Sequence, residues 1–477
     1  MCRCYERSGS VDFTIRGTLI ATEQGYAATD VQVCNGRIAA IAPDLEVQGI
    51  AIDGTNKLLL PGFVNAHTHS SEAWQRGSIP PRPLELWIAE LYDFSPLDPH
   101  HIYLSALSTA VETLLSGGTC IVDHLVLIQG REIETIAAAV RAYREVGIRA
   151  YLAPLLHDQS LSRGVPTGGA EREHRAYPST TPAILAWLTE AIEQFHRPDE
   201  GISLMTAPTG IQLCSDTLFE GCVELSDRYS LGRHAHLLET KAQQVLAQEK
   251  YGCSAVEHLK RLNFLNSRTS LAHCVWLDDS DIEILAATRS SVVHNPLSNL
   301  RLGSGIAPIL KYRQAGLNVS FGCDGSASND GQDLLEAIKI GSMLHNLTDS
   351  DYRKWISPRD AVEMAALGGA IGLGMGDEFG SLTVGKQADL VLYDLTNLSL
   401  LPRTDPIGLL IFGHPVQVVH SAWVAGRQVI ADGRVTTTDV DHLRQELFRH
   451  SEWHTTRSSP QAIATEAHYR SVMGLEN

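Results

Sequence analysis

The sequence lacks an excess of basic residues. Its 38 lysines and arginines are outnumbered by 55 aspartates and glutamates, which gives a formal net charge of −17 at pH 7. A nucleic-acid backbone or an anionic membrane surface would repel such a chain at long range, so we expect neither as its main partner. A neutral or small ligand is easier to accommodate.

Long apolar runs and paired cysteines are also missing. No window approaches the roughly 18 consecutive apolar residues of a membrane span, and the first residues, MCRCYERSGSVDFTIRG, contain no apolar stretch of signal-peptide length. The nine cysteines are scattered, and only Cys2 and Cys4 are closely spaced, which is a weak zinc-site signal without a second pair. We therefore expect a cytoplasmic protein with reduced thiols.

The chain is large enough to bury a sizeable core. Its 477 residues could form one large barrel-type domain with an appendage, or two or three ordinary domains. Hydrophobic residues make up 44% and charged residues 19%, values that suit a globular protein without a long disordered tract.

The first part of the chain has the texture of a small β unit. Residues 12–58 contain short strand-like runs separated by turn signals, with Asn35-Gly36 as a hairpin turn. From about residue 59 brief apolar runs alternate with helix-length segments, such as GTCIVDH, EIETIAAAVRAYREVG and IRAYLAP. Strands that alternate with helices predict parallel βα units.

Eight candidate strands follow one another in this middle part, and eight βα units close into a barrel. They are LLLPGFVNA, GTCIVDH, IRAYLAP, SLMTAP, GRHAHL, TSLAHC, SSVVHN and NVSFGCD. After Gly372 the sequence returns to strands and turns. We predict an α/β fold, a (β/α)8 TIM-type barrel over 59–372, with a small β-sandwich built from 1–58 and 373–477, the latter including a C-terminal helical tail.

Two long segments follow strands and should overhang the barrel mouth. They span 70–98 and 157–181, and the second is rich in Gly, Pro and Ser. This composition allows either a moving lid over the site or an ordinary surface insertion.

Metal-capable side chains stand at the C-terminal ends of the predicted strands, the barrel face where catalysis is located. In a strand, residues i and i+2 share a face, so His67 and His69 can bind one ion. Further such residues close strands five to eight: His236, His273, His294 and Asp324. The expected ligands are the imidazoles of His67, His69 and His236 and the carboxylate of Asp324. Such a set suits zinc, with iron or manganese as alternatives. Strand four, ending in TAPTG, offers no bridging ligand, so we expect one ion.

Glu239 lies three residues after His236, an offset that lets its carboxylate reach the same pocket without binding the metal. It is the best candidate for a proton shuttle. The alternative is a carboxylate that only stabilises a helix N-terminus. His234 shares a face with His236 and is expected to lie behind the ligands.

Taken together, these motifs resemble the amidohydrolase superfamily, in the cytosine-deaminase-like branch that includes guanine, 8-oxoguanine and adenosine-derivative deaminases and the triazine hydrolases. The resemblance runs through NGRI, PGFVNAHTH, HAHLLET, LAHCVWL, HNPLSNLRLGSGIAP, DGSASND and GSLTVGKQADLVLYD. The motifs are specific for the branch and do not identify a substrate.

The resemblance implies a barrel with a terminal β-sandwich and a single zinc or iron ion. The positions that match the family's ligands are His67, His69, His236 and Asp324. His273 would orient the attacking water, whose pKa the ion lowers to roughly 7. Asp324 would accept a proton, hydroxide would attack the amine-bearing ring carbon, and Glu239 would protonate the adjacent ring nitrogen before ammonia leaves.

Four residues are candidates for substrate contacts. His294 belongs to His-Asn-Pro, where several purine deaminases of the branch have His-Cys-Pro. Glu72 accepts hydrogen bonds when ionised and would favour rings that present N–H groups, as guanine-like, pterin-like or aminotriazine rings do. His124 matches a position in the 8-oxoguanine deaminase and chlorotriazine hydrolase groups. Trp74, or alternatively Trp87, could stack on a flat ring.

The sequence thus predicts a hydrolytic deaminase of an amino-substituted N-heterocycle, of purine, pterin or triazine type. A second interpretation keeps the metal chemistry but changes the leaving group to an alkylamine, a halide or a ring amide. A third is a catalytically silent scaffold, against which the complete ligand set and Glu239 weigh. The expected partner is a small heterocycle, with neither nucleic acid nor membrane, and we expect a homo-oligomer, a dimer or larger.

Overall fold

A computed structural model describes residues 11–91, 97–168, 177–451 and 460–475. Within these residues, no helix is both long and apolar enough to cross a membrane. Cys2 and Cys4 fall outside the described residues, as does the stretch 169–176 of the second overhanging segment.

Strands from both ends of the chain form one mixed sheet of nine strands. The strands are β1 (Phe13–Thr22), β2 (Gly25–Cys34), β3 (Arg37–Ala42), β4 (Ile50–Asp53), β5 (Lys57–Pro61), β14 (Leu390–Asp394), β15 (Val419–Val424), β16 (Arg427–Ala431) and β17 (Arg434–Val435). Their order is β17-β16-β15-β14-β5-β1-β2-β3, with β4 beside β1. Asn35 and Gly36 join β2 to β3 with φ of 51° and 74°, the left-handed conformation that a tight hairpin requires.

The middle of the chain supplies eight parallel strands in sequential order. They are β6 (Phe63–Thr68), β7 (Gly118–Asp123), β8 (Arg149–Leu152), β9 (Ile202–Thr206), β10 (Gly232–Leu237), β11 (Thr269–His273), β12 (Ser291–His294) and β13 (Val319–Phe321). The last strand approaches the first, since the Asp324 backbone N–H donates to the carbonyl oxygen of His67 at 2.9 Å. The predicted fold class, a TIM-type barrel with a small β domain from the termini, is confirmed.

Helices surround this barrel, and further helices follow in the C-terminal part of the chain. They are α1 (Leu84–Leu91), α2 (Pro99–Leu115), α3 (Glu132–Val146), α4 (Thr181–Phe195), α5 (Asp216–Tyr229), α6 (Lys241–Tyr251), α7 (Ala255–Arg261), α8 (Asp279–Thr288), α9 (Pro296–Arg301), α10 (Ile309–Gln314), α11 (Ser326–Asn329), α12 (Leu334–Met343), α13 (Pro358–Glu363), α14 (Gly369–Gly372), α15 (Pro406–Gly413), α16 (Val440–His450) and α17 (Pro460–Val472). Many begin at a capping side chain, as α5 does at Ser215, whose hydroxyl accepts from the backbone of Leu218.

The core follows from strands that are buried on both faces. Every residue of β7, β8 and β9 is buried, as expected for parallel strands covered by helices. The helices present apolar stripes to this layer. In α3 the buried positions include Ile136, Ala139, Val140 and Tyr143, at helical spacing.

The run predicted as the first barrel strand is two strands, so that prediction was wrong. Leu58 to Pro61 pair with β14 in the terminal sheet, while Phe63 begins the barrel. The chain changes sheets at Gly62, where an added Cβ would lie 2.1 Å from the hydroxyl of Thr119. Periodicity could not reveal this division because both strands are apolar. The exact domain boundaries stay a prediction.

Candidate active site

The barrel brings the predicted metal-capable residues to one rim. His67 is in β6 and His69 directly follows that strand, His236 is near the end of β10, and Asp324 comes three residues after β13. Because the strands are parallel, their C-terminal ends meet at the same end of the barrel. All four side chains are buried or nearly so.

Distances within this group suit a single ion. His67 Nε2 and His69 Nε2 lie 3.3 and 3.5 Å from Asp324 Oδ1, and His69 Nε2 lies 3.2 Å from His236 Nε2. His67 Nε2 is buried without a hydrogen-bond partner in the described residues. A buried polar nitrogen of this kind is costly unless something binds it, so the donor set fits a divalent metal.

The opposite ring nitrogens fix the orientation of these histidines. His69 Nδ1 lies 2.6 Å from the carbonyl oxygen of His124, and His236 Nδ1 lies 2.8 Å from that of Thr209. A carbonyl oxygen only accepts, so each Nδ1 donates its proton and each Nε2 presents a lone pair to the centre. His67 Nδ1 lies 2.8 Å from Nε2 of His234, so His234 lies behind the cluster, as expected.

The electrostatics favour the protonation states that bind a metal. Burial lowers the pKa of His67 and of His236 well below the usual range, which keeps both imidazoles neutral. Burial alone would raise the pKa of Asp324, but the neighbouring imidazoles of His67 and His273 hold it well below its ordinary value. Neutral imidazoles and an ionised carboxylate are the forms that coordinate an ion.

His273 and Glu239 face this group from the neighbouring strands. His273 Nε2 lies 3.5 Å from Glu239 Oε2 and 3.6 Å from Asp324 Oδ2. The ring is held from behind by Asn299, whose Oδ1 accepts from His273 Nδ1 at 2.9 Å. Burial raises the pKa of Glu239, so this carboxyl group holds a proton more readily than an exposed one. Ser304 donates to its Oε1 at 3.3 Å.

Three residues at or just after the ends of the site strands have backbone conformations that residues other than glycine rarely adopt. The φ angles are 45° at Leu238, 73° at His273 and 62° at Asp324. Such left-handed conformations are strained in residues with a side chain, and they concentrate where function fixes a side chain's direction. The strained residues therefore lie where β10, β11 and β13 end and where the functional side chains of these strands face the cluster.

A cavity of about 540 Å³, including space open to solvent, lies above the cluster. Its walls are largely apolar, and its floor carries metal-capable and acidic groups. The lining residues are His69, Glu72, Leu84, Trp87, Ile88, Leu91, Val126, Leu155, Thr209, Gln212, His236, Glu239, His273, Leu302, Asp324 and Ser328. An apolar slot over a few convergent polar groups is the usual form of a site for a flat ring.

One of the four residues predicted to contact substrate lines this cavity. Glu72 is buried there, its Oε2 accepts from the Ala327 backbone at 3.3 Å, and burial raises its pKa to about 7. Trp87 also lines it, which favours the alternative tryptophan.

The other three lie elsewhere among the described residues. Trp74 donates its indole N–H to the carbonyl oxygen of His101 at 3.0 Å and packs against the hydrophobic core. His124 lies behind the ligands, with its ring 4.7 Å from that of His236. His294 is buried beside His345, with ring centroids 5.3 Å apart. None of the three is a lining residue in the described part of the chain.

Comparisons with known proteins show the family of the chain. The sequence profile described as the Amidohydrolase family matches residues 58–429. The chain belongs to the amidohydrolase family. The resemblance expected from the motifs is thereby confirmed. Members of this family depend on a metal ion.

Similar proteins are deaminases and a triazine hydrolase. The chain is 32% identical over 428 residues to a 5-methylthioadenosine/S-adenosylhomocysteine deaminase of Syntrophomonas wolfei, covering 89% of this chain and 93% of that protein. The structure of an adenosine deaminase from Xanthomonas campestris with bound zinc is similar at a TM-score of 0.81 and 26% identity, covering 96% and 98%. An atrazine chlorohydrolase from Arthrobacter aurescens complexed with zinc is similar at 0.83 and 25%, covering 91% and 99%.

Proposed function

We propose that this protein is a metal-dependent hydrolytic deaminase that removes an exocyclic amine from an N-heterocycle of the aminopurine type. The observation that carries the proposal is the buried Glu239 carboxyl group, whose Oε2 lies 3.5 Å from His273 Nε2 on the floor of an apolar slot. The similarity to deaminases of adenosine derivatives supports the purine ring over pterins and triazines.

His67, His69, His236 and Asp324 would hold one ion. When bound, a divalent ion lowers the pKa of a coordinated water to roughly 7 and so supplies a nucleophile at neutral pH. Zinc suits three imidazole nitrogens and a carboxylate, and two similar structures contain zinc. We therefore propose zinc as the ion of this chain.

The chain's own residues then position and move protons. Asp324 Oδ2 lies 3.6 Å from His273 Nε2, so these two groups can share and orient the attacking water, with Asp324 accepting its proton. Glu239, whose pKa burial raises, donates a proton to the ring nitrogen beside the reacting carbon. Asp324 then returns the proton it accepted to the exocyclic amine, so that the C–N bond breaks and ammonia leaves. The apolar walls, including Trp87 and Leu302, hold the ring flat and exclude bulk water.

The direct test is ammonia release by metal-reconstituted protein on aminopurines, aminopterins and aminotriazines, with the metal content measured by mass spectrometry. We expect about one zinc per chain and release from aminopurines. A protein that retained zinc and released no ammonia from any aminopurine would contradict the proposal.

Glu239→Gln tests the proton shuttle. The amide has the same shape but cannot donate an acidic proton, so we expect kcat to fall by roughly 10²-fold or more while bound zinc is unchanged. Glu283→Gln, at an exposed position of α8, is the matched control and should keep full activity. Normal turnover in Glu239→Gln would refute the role of Glu239.

A different leaving group is the second candidate function. The structural similarity to an atrazine chlorohydrolase favours it, because attack by activated water does not fix which group departs. Chloride release from chlorinated rings, measured beside ammonia release, separates the two reactions.

A further inference from the structure

A second group of metal-capable side chains lies at the surface, where the end of α16 meets the start of α2. It consists of His100, Glu446 and His450, here called the helix-end group. One ligand atom from each residue lies within 4.8 Å of those of the other two. His100 is the second residue of α2, and the other two are on α16. The group is therefore formed by two helices and not by the barrel rim.

Two members of the group share one face of α16. Glu446 and His450 are at positions i and i+4, which places their side chains next to each other along the helix. His450 Nε2 lies 3.8 Å from Glu446 Oε2, while Glu446 Oε1 pairs with Arg449 at 2.5 Å. The same spacing lets a helix present two ligands to one ion in known metal motifs. One turn of α16 can thus supply a nitrogen and an oxygen ligand.

The third member, His100, is held by its surroundings in the first turn of α2. The helix begins at Asp98, whose Oδ1 accepts from the backbone N–H and from Nδ1 of His101, both at 2.9 Å. The ring of His100 stacks with that of Tyr103, with centroids 6.3 Å apart, and its centroid lies 5.6 Å from that of His450. A ring that is already placed loses less conformational freedom when it binds a ligand.

The end of α16 is the part of this helix that the group would fix. Before the helix starts, Thr438 donates to the carboxylate of Glu145 at 2.6 Å, and in its middle Leu443 is buried. In the last turn, His450 is exposed and meets the ring of His100 edge-on. An ion bound between these two rings would join the last turn of α16 to α2.

The donor set limits the class of ion. Two imidazole nitrogens with one carboxylate oxygen suit Zn²⁺, Cu²⁺ and Ni²⁺, whereas Ca²⁺ and Mg²⁺ require mainly oxygen ligands. The formal net charge of −17 attracts cations at long range. Because His100 and His450 are exposed, water would complete the coordination and the ion could exchange with solvent.

We propose that the helix-end group is a second metal site, which binds an exchangeable divalent transition-metal ion, zinc foremost, and joins α16 to α2. The inference goes beyond the proposed reaction and does not depend on it. Among the residues that the structure describes, those lining the cavity above the barrel cluster include no member of the group. Protein dialysed against metal-free buffer should keep the buried barrel ion and release the exposed one.

The first experiment is a calorimetric titration of Zn²⁺ into the dialysed full chain, after its remaining metal content has been measured. A Cys2→Ser/Cys4→Ser variant is used, because two closely spaced thiols would compete for zinc. We expect one further ion to bind per chain. The inference is overturned if the titration shows no binding beyond the ion already present.

His450→Ala and Glu446→Gln identify the ligands. Each should weaken binding of the further ion by about a hundredfold or more, because losing a ligand costs at least as much as losing a group that orients one. His442→Ala is the matched control, since this exposed histidine lies on the same helix about 12 Å before His450, too far to share an ion with it. Unchanged binding in the ligand variants, or equal weakening in the control, would contradict the assignment.

Cu²⁺ in place of Zn²⁺ reports the ligand atoms directly. In the same dialysed protein, electron paramagnetic resonance should show hyperfine coupling to two imidazole nitrogens. We expect His100→Ala to leave the coupling of one nitrogen. A copper spectrum without nitrogen coupling, or one that His100→Ala does not change, would refute the role of these histidines.

Hydrogen exchange tests whether the ion joins the two helices. At a zinc concentration about ten times the dissociation constant, exchange of the backbone amides in the last turn of α16 should slow by about tenfold, because opening must first release the ion. Exchange in α8, which carries no member of the group, should not change. The slowing should disappear in His450→Ala. Zinc binding without slower exchange at the end of α16 would contradict the joining role.

Discussion

At the scale of single residues, each histidine of the site is oriented by a neighbouring group that binds one of its two ring nitrogens. His69 and His236 each use one ring nitrogen on a backbone carbonyl, which leaves the other directed at the centre. Side chains hold the other two rings: the ring of His234 holds His67, and the amide of Asn299, on α9, holds His273. The orientation of His273 therefore depends on a residue that touches neither metal nor substrate.

Asn299→Ala should remove this support. We expect kcat to fall by about tenfold to a hundredfold with the zinc content unchanged, because the ring of His273 loses its only acceptor at Nδ1 in the described residues. Asn299→Asp keeps an acceptor oxygen and should restore part of the rate. Steady-state kinetics with metal analysis measures both. Equal losses in the two variants would indicate a packing role for Asn299 in place of a positioning one.

The sequence predicted the residues of the cluster, but it did not predict the residues that orient their side chains. Histidines and an aspartate that close apolar runs reveal their position, since the ends of parallel strands meet at one rim. Asn299 carries no comparable signal, because it lies within a helix at a spacing that also suits a solvated surface. Trp74 shows the same limit, because nothing in the sequence around it indicates that its indole N–H donates to the carbonyl oxygen of His101.

At the scale of elements, the barrel is attached to the terminal sheet by a buried ion pair. Arg149, at the start of β8, donates to Asp389 at 2.9 Å and to Gln387 at 2.8 Å. Asp389 also accepts from the backbone of Ala425 at 2.7 Å. The pair therefore joins a barrel strand to the loops of the other sheet. Its partners are 240 residues apart in the sequence, so periodicity could not predict it.

Arg149→Ala should lower the free energy of unfolding by about 3 kcal/mol or more, because it leaves the Asp389 carboxylate buried without its counter-charge. Arg144→Ala is the matched control: its pair with Glu200 has side chains 42% and 51% exposed, and exposed pairs contribute less than about 1 kcal/mol. Chemical denaturation measures both changes. Similar small losses in the two variants would mean that the buried pair does not hold the sheets together.

At the scale of the whole molecule, strands that are far apart in the sequence meet at the proposed metal site. The four ligands proposed for the metal come from the first, fifth and eighth barrel strands, so one ion would tie distant parts of the sequence together. The sequence predicted this arrangement because eight strand-like runs determine which ends meet. It could not predict the cavity above the cluster, whose apolar walls come from α1 and from the loops after β7 and β8.

Removing the metal should therefore destabilise the entire barrel. An ion that binds the folded chain and not the unfolded one raises stability in proportion to the logarithm of its concentration over its dissociation constant. Without it, the buried Nε2 of His67 has no partner among the described residues. We expect chelation to lower Tm by roughly 5 °C or more, and added zinc to restore it, measured by differential scanning calorimetry. Asp324→Asn, which weakens the site, should reduce this zinc-dependent difference. An unchanged Tm after complete chelation would mean that these residues are held by packing alone and that the ion serves only the reaction.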